Sequence, residues 1–293
     1  MVLPAPESLL RLAMVVITVG GITLPQDDGP TLEPLGPEGH VIIVIVDGLR
    51  PDVISVENSP TLQRLVDEGA ATLEAQTVRP SITLPAITSM LTGLRPQDHG
   101  ILWNDYRPHL DVVSATTVFD IVHRAGLKTA FFSGKVKLRH AAPLDALDAV
   151  SVRFLPDVSI VTLARSALAE LRPNLMVVHL PNMDRAGHEF GWGSDEQMRT
   201  LRATDIALAS LIDAIESDPL LGPTRVILTA DHGGTGTNHD RGLRGDRTVP
   251  WILWGDGVKS VELEPLSVTA TAATALKALG LKPLGTMAPG LPR

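Results

Sequence analysis

The run "VIIVIV", Val41–Val46, decides the fold. Six consecutive β-branched apolar residues with no polar alternation describe a strand buried on both faces, as in a parallel sheet. The run ends at Asp47-Gly48, and comparable segments follow. "KTAFFSG" (128–134), "NLMVVHL" (174–180), "RVILTA" (225–230) and "VPWILWG" (249–255) read as further strands. Between them lie amphipathic or capped helical segments. They are "SPTLQRLVDEG" ending at Gly69, "PAITSMLTG" with Pro85 in its first turn, "TTVFDIVHRAG", the long "SDEQMRTLRATDIALASLIDAIES" begun by Ser194, and "SVTATAATALKALG". Strands alternating with helices predict an α/β fold with a mostly parallel central sheet and helices on both faces.

Upstream of Val41 the chain changes character. "TLPQDDGPTLEPLGPEGH" (23–40) is rich in Pro, Gly and acid and reads as a linker. "LAMVVITVGGITL" (12–24) is apolar but too short to span a bilayer, so no stable membrane span is expected. Preceded by Arg11, it reads as the core of a signal peptide, with a buried strand or a misassigned start as the alternatives. Residues 1–38 are therefore expected to be an N-terminal segment and linker, and residues 39–293 a single catalytic domain. A secreted or periplasmic location follows from that reading, with a cytoplasmic one as the alternative.

Composition narrows the partners. The net charge is −8, which disfavours nucleic acid as a stable partner because phosphate backbones need a basic surface. Aromatic residues make up 3%, too few for a base-stacking platform. There is no cysteine, so disulfides and thiolate metal sites are excluded and any metal must be held by His, Asp and hydroxyl groups.

Ligands of open α/β sheets bind beyond the carboxyl ends of the strands. Three predicted strands deliver an aspartate there: Val46 leads to Asp47, Leu180 to Asp184, and Ala230 to Asp231. Asp184 and His188, spaced i and i+4 in "DRAGH", would share one helical face. In "DHGGTGTNH" (231–239), Asp231 and His232 would point to opposite sides if the strand continued through them. The glycines would supply positive φ so that the chain doubles back to His239. Thr83 lies just before a predicted helix, whose free N–H groups favour an anion. As a bare sequence feature it reads equally as a helix cap. His99, Arg50 and Arg95 read as structural. Phe190 and Trp192 either shape a pocket or pack in the core.

Four motifs, "VIVDGLRPD", "TLPAITSMLTGLRPQDHGI", "NMDRAGHEFG" and "ADHGG…NH", occur in an order and spacing similar to the type I phosphodiesterase/nucleotide pyrophosphatase family of the alkaline phosphatase superfamily. The resemblance spans Val41 to Gly257. It implies a three-layer α/β/α sandwich, two Zn2+ ions and a threonine nucleophile. Asp184, His188 and His239 match the ligands of one zinc, and Asp47, Thr83, Asp231 and His232 those of the other. Mn2+ is also compatible with such a ligand set. The implied activity is hydrolysis of a small-molecule phosphate ester, a phosphodiester or nucleotide pyrophosphate, through a phosphothreonine on Thr83. Three aspartates carry three negative charges and two divalent ions four positive ones, so the loaded site attracts phosphate.

Ala86, three residues after Thr83, offers no donor to a phosphoryl oxygen. Asn104, Lys135 and Lys137 are the candidates to do so. The "KVKL" stretch containing the lysines reads first as a solvated turn, but loosely resembles a paired-lysine motif of phosphonoacetate hydrolases. Phosphonoacetate hydrolase or phosphomonoesterase is thus the alternative activity. A non-catalytic metal or phosphate binder is the alternative from another class. Sulfatase is disfavoured, since those enzymes need a modified Cys or Ser where this chain has Thr83.

Overall fold

A computed structural model describes residues 32–292. The signal-peptide segment read at 12–24 lies outside the described residues. Eight strands form one sheet: β1 (His40–Val46), β2 (Ala70–Gln76), β3 (Thr129–Ser133), β4 (Ala149–Val152), β5 (Leu175–Leu180), β6 (Thr224–Thr229), β7 (Thr248–Gly255) and β8 (Val261–Glu262). Their order across the sheet is β4-β3-β5-β1-β6-β7-β2-β8. All run parallel except β7, which pairs antiparallel with both neighbours, β6 and β2. β1 sits at the centre with all seven residues buried, as its unbroken apolar run requires.

The helices are α1 (Pro60–Glu68), α2 (Thr83–Thr92), α3 (Pro96–His99), α4 (Val118–Arg124), α5 (Asp157–Glu170), α6 (Asn182–Phe190), α7 (Asp195–Ser217), α8 (Arg244–Arg247) and α9 (Ala270–Ala278). One layer is built on α7, which packs against α1, α5 and α6. The other consists of α2, α4 and α9, which pack on one another, with α9 against β1 and β6. The result is the expected three-layer α/β/α sandwich. Among the described residues no helix is long and apolar enough to cross a membrane.

The sequence pattern located the cores of β1, β3, β5, β6 and β7 but not β2, β4 or β8. β2 carries polar residues at Thr72, Glu74 and Gln76, and β4 is a half-exposed edge strand, so neither shows the doubly buried pattern. α5 was also missed, because its apolar positions are mixed with Ser, Thr and Arg around the helix.

Candidate active site

Strand order makes the site. β5, β1 and β6 are adjacent and parallel, so their carboxyl ends lie side by side. Asp47 follows β1 directly, Asp231 follows β6 by one residue, and Asp184 sits in the first turn of α6 just beyond β5. All three side chains are nearly or fully buried. Asp231 and His232 do not diverge as a continued strand would force. β6 ends at Thr229, the backbone bends, and His232 Nε2 turns back to 3.3 Å from Asp231 Oδ2.

Each carboxylate is divided in the same way. Asp47 Oδ2 accepts from His179 Nε2 at 2.8 Å and pairs with the Lys135 ammonium at 2.5 Å. Asp184 Oδ2 pairs with Lys135 at 2.6 Å. Asp231 Oδ1 accepts the Gly48 and His232 amide N–H groups at 3.2 and 3.1 Å. The other oxygens, Asp47 Oδ1, Asp184 Oδ1 and Asp231 Oδ2, are buried with no hydrogen-bond partner. Orphaned buried carboxylate oxygens are costly, and three converging on one place call for a cation.

The histidines are prepared in a complementary way. His188 Nδ1 faces Thr237 O at 3.0 Å, His232 Nδ1 faces Gly233 O at 2.9 Å, and His239 Nδ1 faces Ser81 O at 2.7 Å. A carbonyl only accepts, so each Nδ1 carries a proton, and in the neutral ring Nε2 is then the atom that presents a lone pair. Burial pushes His232 below its ordinary pKa, and burial together with neighbouring His232 takes His239 down to about 4. Neutral imidazoles with free Nε2 atoms are what a divalent metal binds.

Two ligand sets result. Asp184 Oδ1, His188 Nε2 and His239 Nε2 lie 3.4, 3.1 and 3.7 Å from one another. Around His232 Nε2 stand Asp231 Oδ2 at 3.3 Å, Thr83 Oγ1 at 3.4 Å and Asp47 Oδ1 at 3.5 Å. Neighbouring ligands of a tetrahedral zinc, with bonds of about 2.1 Å, are separated by about 3.4 Å. The residues therefore fit the two-ion ligand set that the motif resemblance implied. His232 also lies 3.8 Å from Asp184 Oδ1 and stacks on His239 at 3.6 Å, so it joins the two sets.

Thr83 is not the cap of α2 but its first residue; the cap position is Ile82, and no side chain caps the helix. Pro85 is accordingly the third residue. The hydroxyl lies 3.3 Å from Lys135 Nζ. The lysines are not a solvated turn. Lys135 is drawn inward: burial opposes its charge, but Asp47 and Asp184 outweigh that and raise its pKa. Lys137 donates to Asn104 Oδ1 at 2.9 Å, and burial with repulsion from Lys135 lowers it to about 8. Asn104 Oδ1 also accepts from Leu84 N–H at 3.0 Å, and the residue lines a groove of about 630 Å³. Asn104, Lys135, Lys137, Asp184 and His188 line that groove. Burial would raise Asp47, yet Lys135 and His179 hold it well below the usual carboxylate range. Asp231 is pushed up to about 8 by burial and by repulsion from Asp47.

The structural readings of the remaining residues hold. His99 accepts from Ile101 N–H and bonds Ser89 within the core, Arg95 pairs with Asp98, and Arg50 ties Asp52 to Gly234 O. Trp192 is buried and Phe190 half-exposed. The glycines of 231–239 act differently from expectation. Only Gly236 has positive φ, at +61°, while Gly233 and Gly234 admit close neighbours: a Cβ would stand 2.1 Å from Gly245 O and 2.2 Å from the Trp192 ring. His179 escaped notice in the sequence. Its signal was a lone imidazole near the end of an otherwise apolar strand, in register with Ile45 and Ser133.

A profile of the type I phosphodiesterase/nucleotide pyrophosphatase family matches residues 41–278. A pyrophosphatase/phosphodiesterase of Schizosaccharomyces pombe is 24% identical over 70% of this chain and 46% of its own length. The venom phosphodiesterase of Macrovipera lebetinus is 27% identical over 67% of this chain and 26% of its own. This chain thus spans less than half the length of these curated relatives. Among solved structures, murine ectonucleotide pyrophosphatase/phosphodiesterase 5 superposes with a TM-score of 0.69 at 16% identity, covering 84% of this chain and 96% of that one. A 2-O GAG sulfatase superposes with a TM-score of 0.68 at 15% identity, covering 85% and 72%. Both likenesses concern the fold alone.

Proposed function

The chain belongs to the type I phosphodiesterase/nucleotide pyrophosphatase family, and from that premise we propose that it is a two-metal hydrolase of small phosphate esters, phosphodiesters or nucleotide pyrophosphates, with Thr83 as nucleophile. The observation that carries this reading is the convergence of three orphaned carboxylate oxygens on three histidine Nε2 lone pairs beside a hydroxyl. Asp184, His188 and His239 would hold one ion, and Asp47, Thr83, Asp231 and His232 the other. Zinc fits the donors and Mn2+ is an acceptable substitute. When bound, such ions supply charge stabilisation for attacking and leaving oxygens.

The chain's own groups do the rest. Thr83 Oγ attacks phosphorus, and the ester oxygen leaves with its electron pair, giving a phosphothreonine that water then hydrolyses. Lys135 Nζ, 3.3 Å from that oxygen, favours its anionic form. The start of α2 adds little backbone donation there, because the Leu84 N–H is bound by Asn104 Oδ1, Pro85 has none and the Ala86 N–H bonds Ile82 O. Asn104, held by Leu84 N–H and Lys137, directs its amide donors to the phosphoryl oxygens. Residues 39–293 form the catalytic domain, and the venom and ectonucleotidase names among its relatives support an extracytoplasmic place of action.

The presence of Lys135 and Lys137 in the groove lining favours a second reading, a substrate with a further anionic group: a phosphomonoester or phosphonoacetate. Steady-state hydrolysis of a chromogenic phosphodiester, its monoester and phosphonoacetate by zinc-loaded protein separates the two. Thr83→Ala is expected to abolish turnover of the preferred substrate. Less than one bound ion per chain, with no chelator-sensitive turnover of any of the three, would overturn the enzyme reading and favour a phosphate-binding protein.

A further inference from the structure

Trp192 touches three of the four segments that carry the proposed ligands, all but the start of α2 with Thr83. Its indole Nε1 donates to Gly48 O at 2.8 Å, one residue after Asp47. One contact of its ring is Gly187, in the turn of α6 between Asp184 and His188, where a Cβ would stand 2.6 Å from the ring. Another is Gly234, between His232 and His239, where a Cβ would stand 2.2 Å away. The indole meets the His188 and His239 rings edge-on, at centroid distances of 5.3 and 5.8 Å. Its own amide N–H donates to Gly236 O at 2.7 Å. The flanking residues Gly191 and Gly193 both adopt positive φ, at +98° and +87°, so Trp192 sits on a backbone loop bent to bring it inward.

This arrangement serves a physical need. Asp184 and His188 share one helix, but His239 arrives on a loop from another strand. Their Nε2 and Oδ1 atoms must be held about 3.4 Å apart before any ion binds. Nothing in strand pairing fixes the distance between α6 and the 231–239 loop, because both lie beyond the sheet. A rigid bicyclic ring filling the gap left by two facing glycines does fix it.

We propose that Trp192 is the positioning residue that sets the spacing of the Asp184–His188–His239 ligand set, and so the affinity and selectivity of that site over its neighbour. The proposal rests on the two-ion reading of the site, but not on which ester is hydrolysed. The contacts with Gly187 and Gly234 set the α6-to-loop distance. The indole N–H ties that pair to the strand end bearing Asp47.

The test is calorimetric titration of metal-free protein with Zn2+, comparing wild type, Trp192→Leu and Trp192→Phe. Groups that orient metal ligands typically change affinity about 10–100-fold. Trp192→Leu is expected to weaken one of the two sites by at least about tenfold while the other keeps its affinity. His239→Ala identifies the weakened site by eliminating it. Trp192→Phe keeps an aromatic plane between the glycines and should recover most of the loss. A purely structural role would instead weaken both sites in parallel with the metal-free melting temperature, and Phe would not restore their ratio. Parallel weakening, or an unchanged ratio in Trp192→Leu, overturns the proposal. If Trp192→Leu does not fold, Trp192→Phe against Gly234→Ala gives the same comparison, the added methyl forcing the spacing apart. Zinc binding by wild type without ester hydrolysis would sink the proposed activity and leave this inference standing.

Discussion

Lys135→Met isolates the cation built into the site. In the wild type, the ammonium pairs with Asp47 Oδ2 at 2.5 Å and Asp184 Oδ2 at 2.6 Å, with 18% of the side chain exposed. Methionine keeps the length and removes the charge. Breaking a buried ion pair from one side costs about 3–5 kcal/mol, because the remaining charge is stranded. The cost has a ceiling. At pH 7 a stranded carboxylate can take up a proton instead, some three pH units above its ordinary pKa, for about 4 kcal/mol. For a chain of this size each kcal/mol moves the melting temperature by about 2–4 °C. The metal-free variant should therefore melt about 6–16 °C below the metal-free wild type. Excess Zn2+ should recover much of that loss, because the orphaned oxygens Asp47 Oδ1 and Asp184 Oδ1 face the ligand sets and not the lysine. Thermal melts followed by circular dichroism, with chelator and with zinc, measure both effects. Lys137→Met is the control, since Lys137 donates to Asn104 and to no carboxylate. Equal melting of Lys135→Met and wild type in chelator would refute the idea that this ammonium neutralises the cluster.

Other expectations follow from the same geometry. His239→Ala should lose mainly the ion shared with Asp184 and His188, and Asp231→Ala mainly the other; metal analysis showing equal loss from both variants would argue against separate sets. Asn104→Ala should lower kcat about 10²–10³-fold, as for other oxyanion donors. Lys137→Met should add little on that background, because it acts through the same amide; multiplicative losses would mean that Lys137 contacts substrate itself. Asp157 is pushed up to about 6, chiefly by burial, while accepting from Asn182 N–H and the Thr204 hydroxyl. Its folded pKa exceeds the unfolded value of about 3.9, so its stabilising contribution is complete below pH ~4 and lost as pH rises through ~6. Asp157→Asn should remove that downward slope from urea-melt stabilities across this window, and an unchanged slope would assign it to other groups.

Much of the site was legible because its residues stand at punctuation points. Asp47, Asp184 and Asp231 each follow an apolar run, and hydrophobic periodicity alone places those runs as strands. The i, i+4 spacing of Asp184 and His188 carried over directly into α6. Lys135 and Lys137 were misread as solvated because sequence context showed no carboxylate near them. The carboxylates that draw Lys135 in lie 88 and 49 residues away along the chain. His179 was unread, and Trp192 was left between pocket and core, for the same reason: their contacts are with Asp47, Gly48, Gly187 and Gly234, from other segments.

What the amino-acid order determined by itself was local: which runs bury both faces, where each strand stops, and which aspartate or histidine comes next. Those features depend on a few neighbouring residues and the period of strand or helix. The strand order β5-β1-β6 is not local, and it alone brings three separate aspartates together. Tertiary structure also decided which oxygen of each carboxylate is held and which is left without a partner. That division arises from donors contributed by distant segments: Lys135, His179, and the backbone of Gly48. "DHGGTGTNH" shows both contributions: its candidate ligands could be read in sequence, but the role of Gly234 could not, because it is defined by the face of Trp192, packed against it from the loop between α6 and α7.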